Sequence, residues 1–166
     1  RMHEALGIID PDKTIHYIIN LQGDLPTINS IALKKVVNLL SSEEDEIGTL
    51  VTQFEREEDL NKEQFVKAVC NLSGSGTESY AENFVRKQGD YDSKNLFHHI
   101  GIYSFKRDAL EKFVTLSQTD REKNEKLEQL RALDNNMKIK IGLIDFLPLG
   151  VDTPDDLEEI RKILSK

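Results

Sequence analysis

Two carboxylates near opposite ends of the chain have the setting of divalent-cation ligands. Asp24 follows the apolar run Ile18-Ile19-Asn20-Leu21, in the segment Gln22-Gly23-Asp24-Leu25-Pro26. A buried strand that stops at a glycine and delivers a carboxylate beyond its carboxyl end is how open α/β sheets build sites. Asp152 has a similar setting in Gly150-Val151-Asp152-Thr153-Pro154. Brought together, the pair suits a hard cation such as Mg²⁺, which takes one or two carboxylates and completes its shell with water and phosphate. Each also has a plainer reading. Gly-Asp is common turn chemistry, and a carboxylate just ahead of a helix is stabilised by the free N–H groups and the helix dipole without any ligand.

Other polar groups are weaker signals. His98 and His99 are adjacent, so on a strand they point to opposite faces and cannot pair on one metal. One is expected in a cleft or the core and the other toward solvent. Glu128, Gln129 and Arg131 lie on a helical pattern whose leucines, Leu127, Leu130 and Leu133, face the core. Such a polar stripe is a solvated helix face or the rim of a cleft. Gly74-Ser75-Gly76 lacks the third glycine and the strand-to-helix placement of a dinucleotide loop and reads as a hairpin turn. Cys70, in apolar company, is expected to be packed and inert.

The elements that must position these groups alternate. Strands are expected over Ile15–Leu21, Ile47–Phe54, Phe65–Leu72, Phe97–Phe105 and Met137–Phe146. Helical spacing covers Ser30–Leu40, Arg107–Leu116 and Glu122–Leu133. Residues 1–8 are helix-compatible, and residues 78–96 have no clear period. A last helix opens at Thr153-Pro154-Asp155-Asp156, with Thr153 as cap and Pro154 in the first position. The alternation argues for an α/β fold with a mixed sheet.

The 166 residues suffice for one domain. Their net charge of −8 argues against nonspecific binding to nucleic acid or to anionic membrane. No apolar run approaches the roughly 20 residues of a membrane span. A single cysteine, Cys70, excludes an internal disulfide and fits a reducing compartment, the cytoplasm. The chain begins at Arg1, with no signal-peptide pattern after it, and reads as a piece of a longer protein.

Taken together, the segments IINLQGDLP (18–26), FVKAV (65–69), HHIGIY (98–103), EKLEQLRAL (125–133) and LGVDTPDDL (149–157) resemble one family. It is the cytidylyltransferases that activate the eight-carbon sugar acid Kdo (3-deoxy-manno-octulosonate). The resemblance extends over nearly the whole chain. It implies a mixed, mostly parallel sheet of the nucleotide-diphospho-sugar transferase, Rossmann-like type. It implies a transfer from CTP to Kdo that yields CMP-Kdo and pyrophosphate, for lipopolysaccharide assembly. It makes Asp24 and Asp152 the Mg²⁺ ligands and catalytic carboxylates, and His99, Glu128, Gln129 and Gln22 substrate contacts. It further implies a homodimer, with residues 65–120 as a dimerisation and sugar-binding arm.

Two departures accompany the resemblance. The family's Arg/Lys-rich loop for the CTP triphosphate is not among these residues, so 1–166 is expected to be an incomplete, N-terminally truncated domain without turnover by itself. The family's aromatic-Ser/Thr-Arg segment corresponds here to Tyr80–Arg86, where the arginine is replaced by an acid or shifted to Arg86. The alternative is therefore a non-catalytic remnant that binds a sugar acid or a partner protein.

Overall fold

The computed structural model describes residues 1–72, 76–151 and 153–165. The turn read at Ser73–Thr77 falls partly outside them, and Asp152 falls outside them entirely. The chain opens with helix α1 (Met2–Ile9) and strand β1 (Tyr17–Asn20), then α2 (Ser30–Asn38) and β2 (Ile47–Thr52). Asn29 caps α2 by accepting from Ala32 N–H at 2.9 Å. After a 3₁₀ turn at Glu57–Asn61 come three short strands, β3 (Lys67–Val69), β4 (Glu78–Tyr80) and β5 (Asn83–Val85). The long strand β6 (Leu96–Lys106) leads directly into α3 (Arg107–Thr115). The chain then runs through α4 (Asp120–Glu125), α5 (Gln129–Asp134), β7 (Ile139–Leu143) and α6 (Pro154–Leu164).

The sheet order is β4-β7-β2-β6-β3-β5, with β1 also paired to β6. The mixed α/β class agrees with expectation, but the balance of directions does not. Among the described strands only β2 and β7 run parallel, and the other pairings are antiparallel. Parallel strands need long crossovers. Most of the short connections between residues 67 and 106 leave no room for one.

Two apolar layers cover the sheet. Ala32 and Val36 of α2 and Leu39 at its C-terminal cap pack with Leu50, Ile100 and Ile102 on one face. Leu110, Phe113, Leu127 and Leu130 pack with Ile47, Val51, Phe105, Ile139 and Ile141 on the other. The alternation along β6 follows: Ile100 and Ile102 face α2, whereas His99, Tyr103 and Phe105 face α3 and α5.

One expected helix is broken. The leucine spacing predicts continuous helix over Glu122–Leu133, but Lys126 adopts a left-handed conformation (φ 54°, ψ 46°) that ends α4. A left-handed residue is a common way to terminate a helix. Leu127 and Leu130, beyond the break, are both buried. The start of α4 is marked by a reciprocal capping box between Thr119 and Glu122. The last helix opens as expected, with a capping box between Thr153 and Asp156 and Pro154 in the first turn. No helix among the described residues is long and apolar enough to cross a membrane.

Candidate active site

Strand β6 has two neighbours on one side, and they leave a gap. β1 pairs with its C-terminal part, from Asn20↔Tyr103 to Tyr17↔Lys106. β3 pairs with its N-terminal part, from Lys67↔His98 to Val69↔Leu96. Between them the edge around Gly101 has no strand partner among the described residues. β1 ends at this gap, and extending its register would set Gln22 opposite Gly101. The amide Nε2 of Gln22 lies 3.8 Å from where a Cβ on Gly101 would stand.

A cavity of about 660 Å³ opens at this gap, within the usual range for small-molecule sites. Gln22, His99, Glu128 and Gln129 all line it, together with Tyr103 and the ring of Phe113. Residues from four separate parts of the sequence thus meet in one place.

His99 is the most constrained of them. Its Nε2 lies 3.1 Å from Thr49 Oγ1 and 2.9 Å from the Tyr103 hydroxyl, and Phe84 meets the ring edge-on at 5.1 Å. Thr49 donates its own proton to the Ile102 carbonyl at 2.8 Å. The Thr49 and Tyr103 hydroxyls thus both meet the same imidazole nitrogen, and which of them donates to it depends on the tautomer of the ring. Burial, then the neighbouring His98, holds the His99 pKa down at about 3, so the ring is neutral. Burial pushes the Tyr103 hydroxyl well above its ordinary value.

His98 differs from expectation. It does not face open solvent: Phe54 stacks on it at 5.0 Å and Phe65 packs at 4.9 Å, and its pKa is lowered by burial. The aromatic residues that cover it come from loops beyond β2 and before β3, which strand alternation does not reveal. Cys70 is buried as expected, with its thiol pushed up to about 12 by desolvation. Glu128 is 70% exposed at the α5 N-cap. Arg131, read with it as part of a solvated stripe, is instead only 12% exposed and pairs with the buried Glu122.

Asp24 is exposed in the turn after β1. Its carbonyl accepts from Val151 N–H at 2.9 Å. Thr27 fastens the same two loops: its hydroxyl accepts from Leu149 N–H at 2.7 Å and lies 3.2 Å from the Leu149 carbonyl. Gly150 lies against the same turn, where a Cβ would stand 3.4 Å from the Asp24 carbonyl oxygen, at ordinary contact distance. The segment that carries Asp152 is thus tied to the Asp24 turn. Among the described residues no cluster of three metal-ligating side chains occurs.

Several contributors were not legible as such in the sequence. Thr49 and Tyr103 orient His99. Lys67 is fully buried and donates to the carbonyls of Lys62, Phe65 and Arg86 at 2.7, 2.9 and 2.7 Å. Arg86 donates in turn to the carbonyls of Glu125, Glu63 and Lys126. Its guanidinium is therefore engaged with backbone rather than held open for a carboxylate. The aliphatic neighbours of Lys67 in FVKAV signal a strand, and nothing local shows that the ammonium would find three carbonyls.

Comparison with known proteins identifies the family. The family described as cytidylyltransferase matches residues 1–139. A 3-deoxy-manno-octulosonate cytidylyltransferase from Rhizobium johnstonii is 44% identical over 165 residues, covering 99% of this chain and 65% of the relative. One from Bartonella bacilliformis is 43% identical, covering 99% and 68%. The chain therefore spans about two thirds of the length of these curated relatives. A solved structure of CMP:2-keto-3-deoxy-manno-octonic acid synthetase complexed with CTP superposes with a TM-score of 0.84 at 25% identity, covering 99% of this chain and 68% of that one. UDP-glucose pyrophosphorylase complexed with UDP-glucose is similar in fold alone, with a TM-score of 0.63 at 13% identity, covering 99% and 63%. On the extent of these matches, the chain belongs to the cytidylyltransferase family, in its 3-deoxy-manno-octulosonate branch.

Proposed function

We propose that this chain carries the sugar-acid side of an enzyme that couples CTP and Kdo to CMP-Kdo and pyrophosphate, supplying activated sugar for lipopolysaccharide assembly. The observation that carries this reading is the convergence of Gln22, His99, Glu128 and Gln129 on one cavity of suitable size. Neutral His99, the Tyr103 hydroxyl and the Gln22 and Gln129 amides offer both donors and acceptors to a polyhydroxylated acid. The apolar wall of Phe113 and Leu127 excludes water from one side.

In the proposed reaction a sugar hydroxyl oxygen bonds to the α-phosphorus of CTP in line with the departing pyrophosphate. The hydroxyl loses its proton as the bond to the leaving oxygen breaks. Such a transfer needs positioning and charge neutralisation more than covalent chemistry. The cavity residues would fix which hydroxyl is presented.

Asp24 and Asp152 are the proposed Mg²⁺ ligands. Their fit is supported by the hydrogen bonds that tie the Asp24 turn to residues 149–151, and by two carboxylates being a sufficient protein contribution for Mg²⁺. Bound there, the ion would offset phosphate charge and lower the pKa of the attacking hydroxyl. A chain of net charge −8 requires such an offset to hold a nucleotide. Working in the cytoplasm as a homodimer, with residues 65–120 at the contact, completes the proposal.

The test is pyrophosphate release from CTP, Kdo and Mg²⁺ by a protein that contains this chain. Asp24→Asn should abolish release, and unchanged release would refute the assignment. The engagement of Arg86 with three carbonyls favours a second reading, a non-catalytic sugar-acid binder. Calorimetry with Kdo and Mg²⁺ separates them: affinity that falls in Asp24→Ala supports a metal-dependent site, and indifference supports simple binding.

A further inference from the structure

The residues that face the cavity from α5 are displayed by a broken helix. α4 and α5 have six residues each, too short to persist alone. The left-handed Lys126 between them ends one helix and lets Leu127, Glu128 and Gln129 turn toward the cavity. Something must hold the angle of this break.

Arg131 does so from below. Its Nε donates to Glu122 Oε2 at 2.8 Å and its Nη2 to Oε1 at 2.5 Å, which joins α5 to α4 by a two-point contact. Both partners are largely enclosed, at 12% and 5% exposure. The guanidinium lies 4.9 Å over the Phe113 ring, itself a cavity wall. The same Nη2 reaches Glu128 Oε1 at 3.5 Å. Arg86 grips the other side of the break through the carbonyls of Glu125 and Lys126. A buried ion pair contributes little stability that apolar packing could not supply, but a planar fork fixes direction as apolar packing does not.

We propose that Arg131 is a positioning residue for sugar-acid binding, holding Glu128 at the cavity through its pair with Glu122. This rests on the cavity being the sugar-acid site. Arg131 does not itself line the cavity.

The test is titration of the whole chain with Kdo, paired with thermal melts. Arg131→Lys keeps the charge and loses the fork. It should weaken Kdo binding about tenfold, the equivalent of one charge-assisted hydrogen bond. In a Glu128→Ala background the same change should cost less than about threefold, because the two residues act as one unit. Gln118→Ala removes another hydrogen bond to Glu122 and should lower the melting temperature without changing affinity. Should Arg131→Lys fail to fold, Glu122→Gln replaces it, with the same losses expected. Unchanged affinity, or an equal loss with and without Glu128, would overturn the positioning role while leaving the cavity assignment intact. No Kdo binding by the unsubstituted chain would overturn both.

Discussion

The carbonyl of Asp24 accepts a hydrogen bond from Val151 N–H at 2.9 Å, joining the turn after the first strand to the loop before the last helix. The proposed cation site depends on this junction, and Thr27 is its other fastening. Thr27→Val keeps the shape but leaves Leu149 N–H without its 2.7 Å acceptor. A loss of about 1–2 kcal/mol is expected, or about 3–6 °C in a thermal melt. Mg²⁺ binding measured by calorimetry should weaken in parallel. Thr27→Ser, which keeps the hydroxyl, should restore both.

Gly48 lies where the backbone of α2 meets β2. A Cβ there would stand 2.9 Å from the Val36 carbonyl oxygen, 2.5 Å from Ser104 Oγ and 3.2 Å from Leu39 Cβ. Ser104 cannot simply turn aside, because its hydroxyl donates to that same carbonyl at 2.5 Å. Gly48→Ala should therefore destabilise by about 2–3 kcal/mol through overpacking. Urea unfolding measures it. Gly101→Ala meets only the Gln22 amide at 3.8 Å and should leave stability within about 1 kcal/mol of the parent.

His99 makes stability depend on pH. Its folded pKa of about 3 lies below the ordinary 6.5, so between these values the unfolded chain binds the extra proton. Stability is full above 6.5 and falls as the pH drops through this window, by about 1–2 kcal/mol at about pH 5. His98, also lowered by burial, adds in the same direction. Asp10, held at about 2 mainly by the Ile15 N–H despite the opposing effect of burial, adds its loss only below 3.8. His99→Gln should flatten the slope between about pH 7 and about pH 5 in urea melts. An unchanged slope would show that another group is responsible.

Much of this arrangement is legible in the sequence because the signals are local. The apolar run ending in Gln22-Gly23-Asp24 announces a strand end, and Thr153-Pro154-Asp155-Asp156 announces a helix start. The alternation in Phe97–Phe105 sends His99 and Tyr103 to one face. The break at Lys126 was not legible, since no glycine marks it and the leucine spacing runs through. The environments of His98, Lys67 and Arg131 depend on residues distant in sequence. A buried arginine with a carboxylate partner reads as a solvated stripe until Glu122 is seen beneath it. The share of antiparallel pairing is less legible, because the short strands at Glu78–Tyr80 and Asn83–Val85 carry almost no periodic signal.

The central claim is that Gln22, His99, Glu128 and Gln129 form one sugar-acid site, and titration of the chain with Kdo tests it most directly. Gln22 and Glu128 are exposed, so alanine at either should leave the melting temperature unchanged. The account predicts saturable one-to-one binding, weakened about tenfold by Gln22→Ala and by Glu128→Ala separately. Binding that neither substitution alters, or no binding at all, would contradict it.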